Sequence, residues 1–276
     1  MGKIIAVCNQ KGGTGKTTTA VNLSAILAVY WKKILLVDTD PQGNATSGVG
    51  INKNTIHNSV YDMLLGRSSV KDSIQKSQIS KLDVVPCNIN LTGEEIELVG
   101  ALSRETRLKK SLSEVKENYD FIFIDSPPSL GLLTLNAFVA SDSILIPIQC
   151  EFYALEGVSQ LINTINLIRE GLNPNLMIEG VLLTMADFRT NLTIEVVGEI
   201  KSYFRDKVYK TIIPRNIKFS EAPSFGNPII LYDRNSIGSK KYEEFAREFL
   251  GELFNNYNSI ENNNLQENSQ SVTEKP

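Results

Sequence analysis

The stretch QKGGTGKTT, Gln10–Thr18, follows directly on the apolar run KIIAVCN, and its reading decides the fold. Gly12, Gly13 and Gly15 remove the Cβ atoms that would keep a bulky anion away from the backbone. Immediately afterwards TTTAVNLSAILAVYW opens a helical pattern in which Ala20, Leu23, Leu27 and Tyr30 fall on one stripe. A buried strand, a glycine loop and a helix in that order aim backbone N–H groups and the helix dipole at one spot, a phosphate site. The usual spacing G-x-x-x-x-G-K-[ST] has its first glycine where Gln10 stands, and an additional lysine, Lys11, sits beside the glycines. In such a loop Lys16 reaches the β and γ phosphates and the Thr17 hydroxyl is placed to ligate Mg2+.

Outward from the loop, KILLVDTD, LDVVPC, DFIFIDSPP, SILIPIQ and VLLTM are short and almost wholly apolar before their polar ends. Such runs suit parallel strands buried on both faces. Alternating with helical periods, they predict an α/β fold: a mostly parallel twisted sheet with helices on both faces. The length suits one large domain, 1–254. Residues 255–276, rich in Asn, Gln, Ser and Glu, lack the apolar side chains to fold and read as a disordered tail.

Hydrophobic residues make up 42% and charged residues 21%, an ordinary globular balance. No apolar run reaches the roughly 18 residues of a spanning helix, and no signal peptide opens the chain, so a cytoplasmic protein is expected. Cys8, Cys87 and Cys150 are isolated and read as core residues. Net charge is −3, and residues 239–276 alone hold four basic against seven acidic side chains. Any attraction for nucleic acid must therefore come from a local basic cluster.

Acidic residues complete the pattern. VDTDPQGN places Asp38 and Asp40 at the polar end of the second apolar run, and FIFIDSPPS places Asp125 at the end of a later one. Ligands of open α/β sheets bind beyond the carboxyl ends of the strands, so all three carboxylates can approach the phosphate loop. Asp125, behind four apolar residues, reads as the Walker B acid that holds Mg2+. His57, the only histidine, sits in polar NKNTIHNS and reads as a surface residue rather than a base.

The loop KGGTGKTT, the stretch VDTDPQGNATSG and the later FIFIDSPPSLGLLTLNA, PIQCEFYALEG and IIPRNIKFSEAPSFG resemble the ParA (Soj) partition ATPases. These are the deviant Walker A branch of the phosphate-loop proteins, and the likeness runs from about Lys3 to Phe249. Thr14, where the family more often has valine, occupies the variable slot of the loop. The resemblance implies a weak, partner-stimulated ATPase whose cofactors are ATP and Mg2+. It assigns nucleotide contacts to Lys11, Gly12, Gly13, Thr14, Gly15, Lys16, Thr17 and Thr18, and Mg2+ to Thr17, Asp38 and Asp125. Lys11 is expected to reach across an ATP-sandwich homodimer to the partner's phosphates, and Asp40 to orient or deprotonate the attacking water, with Lys16 and Lys11 completing the catalytic set. Met185, Pro214 and Asn216 are expected at the adenine, although a plain turn after the IIP strand explains PRN as well. Arg189, Arg215 and Lys218 match positions where the family carries basic residues, and imply non-specific DNA binding by a nucleoid-associated ATP form; ordinary solvated charges are the alternative reading. A ParB-type protein is the implied stimulating partner.

Other branches share the loop. MinD-like membrane-positioning ATPases, the alternative function, end in a basic amphipathic helix, whereas SKKYEEFAREFLGELF is acidic and no membrane contact is expected. Iron proteins need cysteines at the subunit junction, and DSPPSLGLLTLN has none. The chain starts at its first strand, so an N-terminal helix-turn-helix domain is not expected.

Overall fold

All six apolar runs become strands. The computed structural model describes residues 2–30, 32–88, 94–151 and 154–251; the expected domain end at 254 and the tail 255–276 lie outside the described residues. The strands are β1 Lys3–Val7, β2 Ile34–Asp38, β3 Gln75–Lys76, β4 Leu82–Val85, β5 Phe121–Asp125, β6 Ser143–Gln149, β7 Met177–Ala186 and β8 Val208–Pro214. They form one sheet in the order β3-β4-β2-β5-β1-β6-β7-β8. Every pairing is parallel except β3 with β4.

The near-continuous apolar strands are explained by a core on each face. Ile4, Ala6, Ile122, Ile124, Ile144 and Ile146 point to one side, where they meet the helices Leu132–Ala140, Ala154–Gly171 and Asn191–Phe204. Ile5, Val7, Phe123 and Leu145 point to the other, against the helices Lys16–Val29 and Ile237–Leu250. The first of these departs from its expected single stripe: Thr19 through Ala28 are all buried. The cause is its position between the sheet on one side and Ile237–Leu250, Asn44–Gly48 and Ile229–Tyr232 on the others. Thr19 Oγ1 accordingly meets Tyr242 OH at 3.0 Å, giving two buried hydroxyls a partner.

The helix Ile237–Leu250 buries its apolar face in the core. Tyr242, Phe245 and Ala246 are buried, the Phe245 ring packs 4.8 Å from Tyr209, and Phe249 packs 5.4 Å from Phe121. Among the described residues no helix is long and apolar enough to cross a membrane. The antiparallel β3 carries no signal in the sequence, being two polar residues held by the Lys76–Asp83 ion pair at 2.8 Å.

Register positions the site. Val7 and Asp38 both stand opposite Asp125, on the two neighbours of β5. The glycine loop leaving β1 and the two carboxylates therefore open on the same edge of the sheet.

Candidate nucleotide and magnesium site

Gly13 and Gly15 adopt φ of 75° and 85°, the left-handed region where a side chain is strained, and Gly15 is the residue that opens the helix Lys16–Val29. No side chain caps that helix N-terminus. Its first N–H groups are thus free for an anion, as a phosphate site requires. The loop is pinned from outside: Asn9 Nδ2 donates to Pro147 O at 2.7 Å, Asn9 Oδ1 accepts from Lys11 N at 3.1 Å, and the buried Thr184 Oγ1 donates to Thr14 O at 2.8 Å.

The two lysines part company here. Lys16 is buried, and its Nζ folds inward to donate to Lys11 O at 3.0 Å. Burial holds the Lys16 ammonium below its ordinary pKa, against the opposing pull of Asp125 and Asp40. Beneath it, burial pushes the Cys8 thiol up to about 12, so this wall of the site stays neutral. Lys11 instead turns its Nζ outward, 3.2 Å from Glu151 Oε2, where both side chains are 41% exposed.

Asp38 is held from three sides. Its Oδ2 accepts from Thr46 N at 2.8 Å and Thr46 Oγ1 at 2.7 Å, and its Oδ1 from Asp40 N at 3.2 Å. Burial nevertheless raises its pKa to about 6, with the nearby Asp40 adding to the effect. Asp125 is fully buried, and neither of its oxygens has a well-formed hydrogen bond. Burial first and the Asp38 charge second push its pKa well above the ordinary carboxylate range, with the Thr17 hydroxyl close enough to offset part of this. Gln10 Oε1 and Ser126 Oγ are orphaned in the same way. Unpartnered buried acceptors are what a cation would satisfy, and the uncapped N–H groups beside them are what its phosphate would take. Mg2+ keeps waters and phosphate oxygens as most of its ligands; Thr17, Asp38 and Asp125 thus fit a donor set, even though no cluster of three His, Cys, Asp or Glu with metal-binding geometry occurs among the described residues. Asp40, also buried, accepts from Gln42 N at 2.9 Å on a turn closed by Gly43 N to Asp40 O at 2.8 Å.

Beside the loop lies a cavity of about 410 Å3, lined by Gly15, Thr18, Met185, Pro214 and Asn216 among others. Its size is within the range of small-ligand pockets. Met185 has φ 51°, in a stretch where the pairing of β7 with β8 is irregular. That departure interrupts the ladder beside the cavity before pairing resumes between Ala186 and Pro214. The expected base contacts are thereby brought together beside the phosphate loop.

The three expected DNA cations stand in or just beyond the loops that leave β7 and β8, and each faces an acid. Arg189 Nε donates to Asp187 Oδ1 at 2.7 Å, Arg215 Nη2 lies 3.9 Å from Glu151 Oε1, and Lys218 pairs with Asp233. Arg215 also lines the base-sized cavity, so it is not on a separate basic surface. His57 is exposed and the three cysteines are buried, as expected. Asn9, Thr46, Glu151 and Thr184 emerge only in three dimensions; the one signal for Asn9, Glu151 and Thr184 is their position two residues from a strand end, and Thr46 has none.

An uncapped helix start with two lysines, acids on two adjacent strands and a base-sized cavity define a phosphate-loop nucleotide-binding protein of the deviant Walker A type. The chain matches the AAA domain family over residues 2–178. It is 62% identical over 248 residues to the sporulation initiation inhibitor protein Soj of Bacillus subtilis, covering 90% of this chain and 98% of that protein. It is 52% identical to the chromosome partitioning protein ParA of Myxococcus xanthus, covering 91% and 88%. The solved structure of cobyrinic acid a,c-diamide synthase from Mycobacterium smegmatis, with bound ADP and magnesium, aligns with a TM-score of 0.78 at 34% identity, over 89% of this chain and 93% of that one. The chain belongs to the Soj/ParA family of chromosome-partitioning ATPases.

Proposed function

We propose that this chain binds and hydrolyses Mg-ATP as a sandwich homodimer, holds DNA without sequence preference in that form, and releases it when a ParB-type partner stimulates hydrolysis. The observation that carries the reading is the opposite course of the two lysines: Lys16 Nζ lies inside its own loop, whereas Lys11 Nζ leaves it. A triphosphate between two subunits needs more positive charge than one loop supplies, and an outward lysine adds it only when two chains meet.

In this reading the backbone N–H groups of 12–18 and Lys16 hold the phosphates. Thr17, Asp38 and Asp125 hold Mg2+, which neutralises phosphate charge when bound. Asp40 orients the attacking water, positioning and electrostatics being most of the work in phosphoryl transfer. Met185, Pro214 and Asn216 meet the adenine. Arg189, Arg215 and Lys218 contact DNA phosphates once their acidic partners let go. The MinD-like alternative needs a free amphipathic helix for the lipid surface, but the apolar face of Ile237–Leu250 is engaged in the core.

Sedimentation with Mg2+ and a non-hydrolysable ATP analogue tests this. The wild-type chain should sediment as a dimer, and Lys11→Ala should stay monomeric while still binding the analogue. A Lys11→Ala dimer of ordinary strength would overturn the cross-subunit role.

A further inference from the structure

Glu151 follows β6 on a backbone fixed at several points. Cys150 N donates to Thr184 O at 3.1 Å, Glu151 N to Gln149 O at 2.9 Å, and Ala154 N to Glu151 O at 3.1 Å. Its half-exposed side chain links cations from two other strand ends. Oε2 meets Lys11 Nζ at 3.2 Å, while Oε1 faces Arg215 Nη2 at 3.9 Å and accepts from Gln149 Nε2. Among the described residues it is the one acidic partner of Lys11, whereas Asp187, close to Arg215, is already engaged by Arg189. Arg215 and Gln149 thus fix the carboxylate that Lys11 reaches.

We propose that Glu151 is a positioning residue that holds Lys11 in its own subunit until a partner's nucleotide draws it away. This rests on the sandwich reading above and names the contact that must break for the sandwich to close. Lys11 cannot satisfy Glu151 in cis and a phosphate in trans at once, so the ion pair competes with dimerisation. The competition sets a threshold: a nucleotide with a full triphosphate charge outcompetes one carboxylate, and encounter without nucleotide leaves Lys11 where it is. An exposed ion pair contributes little, so its loss shifts an equilibrium by about threefold. Both subunits release a lysine when the dimer forms, so the two effects multiply to roughly tenfold in the dimer dissociation constant.

The test is sedimentation equilibrium of the full chain with Mg2+ and a non-hydrolysable ATP analogue, comparing wild type with Glu151→Gln, which keeps the side chain's size and one of its two acceptor oxygens but not its charge. Glu151→Gln should dimerise about tenfold more tightly at low salt, and the gap should narrow as salt rises, because the ion pair it removes is screened. A far-UV spectrum and melt of the variant control for folding, with Glu151→Asp, which keeps the charge, as a second variant expected to behave like wild type. Equal or weaker dimerisation of Glu151→Gln, or a gap that does not change with salt, would overturn the latch while leaving the sandwich intact. If wild type and both variants stay monomeric, the sandwich fails and the latch falls with it.

Discussion

Two carboxylates opposite one another on adjacent strands, sealed from water, make the residue scale measurable. Asp38 has its pKa raised by burial to about 6 from an ordinary value of 3.8. Between those two values the folded chain holds a proton that the unfolded chain has lost, so stability is full below pH 4 and is lost as pH rises through the folded value. This is the reverse of an ion-paired aspartate. Asp125 shifts the same way and extends the loss to higher pH. In thermal melts of the nucleotide-free chain, the advantage of wild type over Asp38→Asn should shrink from pH 4 to 7 by about 2–3 kcal/mol, roughly 5–10 °C for a domain of this size. A difference that stays flat, or grows with pH, would show that Asp38 is not desolvated as described. The sequence made the three acids legible because each ends an apolar run. It did not make legible the two Thr46 donors that orient Asp38, since a threonine eight residues on has no reason to stand out until the turn at Gly43 brings it back.

At the scale of elements, the alternation of apolar runs and helical periods was enough to read a parallel sheet covered on both faces. What it missed follows from physical causes. The two-residue β3 is too short and polar to show a period, and the all-round burial of Lys16–Val29 depends on helices distant in sequence. The same distance hides the brace between β7 and the phosphate loop, Thr184 Oγ1 to Thr14 O, 170 residues apart along the chain. Both residues are buried, so Thr184→Val, nearly equal in shape, leaves a carbonyl without its donor. That should cost about 1–3 kcal/mol of stability, and because the braced carbonyl belongs to the loop, ADP should also bind more weakly. Denaturant titration with and without ADP measures both; unchanged ADP affinity in a destabilised variant would mean that the brace serves the fold alone.

For the whole molecule, charge decides between a nucleotide switch and a DNA-holding machine. Net charge is −3, and the three candidate DNA cations are each turned toward an acid in the single chain. A monomer so neutralised has little to offer a polyanion, which fits the proposed hold on DNA in the ATP dimer alone. A dimer doubles every cation it frees, and each phosphate it neutralises releases a counterion on binding. Replacing Arg189 and Lys218 together with Glu should abolish DNA retention in Mg-ATP and spare nucleotide binding, as read in paired filter-binding and nucleotide titrations. In the single replacement Arg189→Ala, binding should weaken uniformly across sequences. The slope of log affinity against log salt should fall by about one for each phosphate no longer neutralised, about two for the dimer. Unchanged slopes in that variant would remove Arg189 from the DNA face. A fall in slope that depends on DNA sequence would place it at base edges instead of phosphates, contrary to the proposed sequence-independent hold.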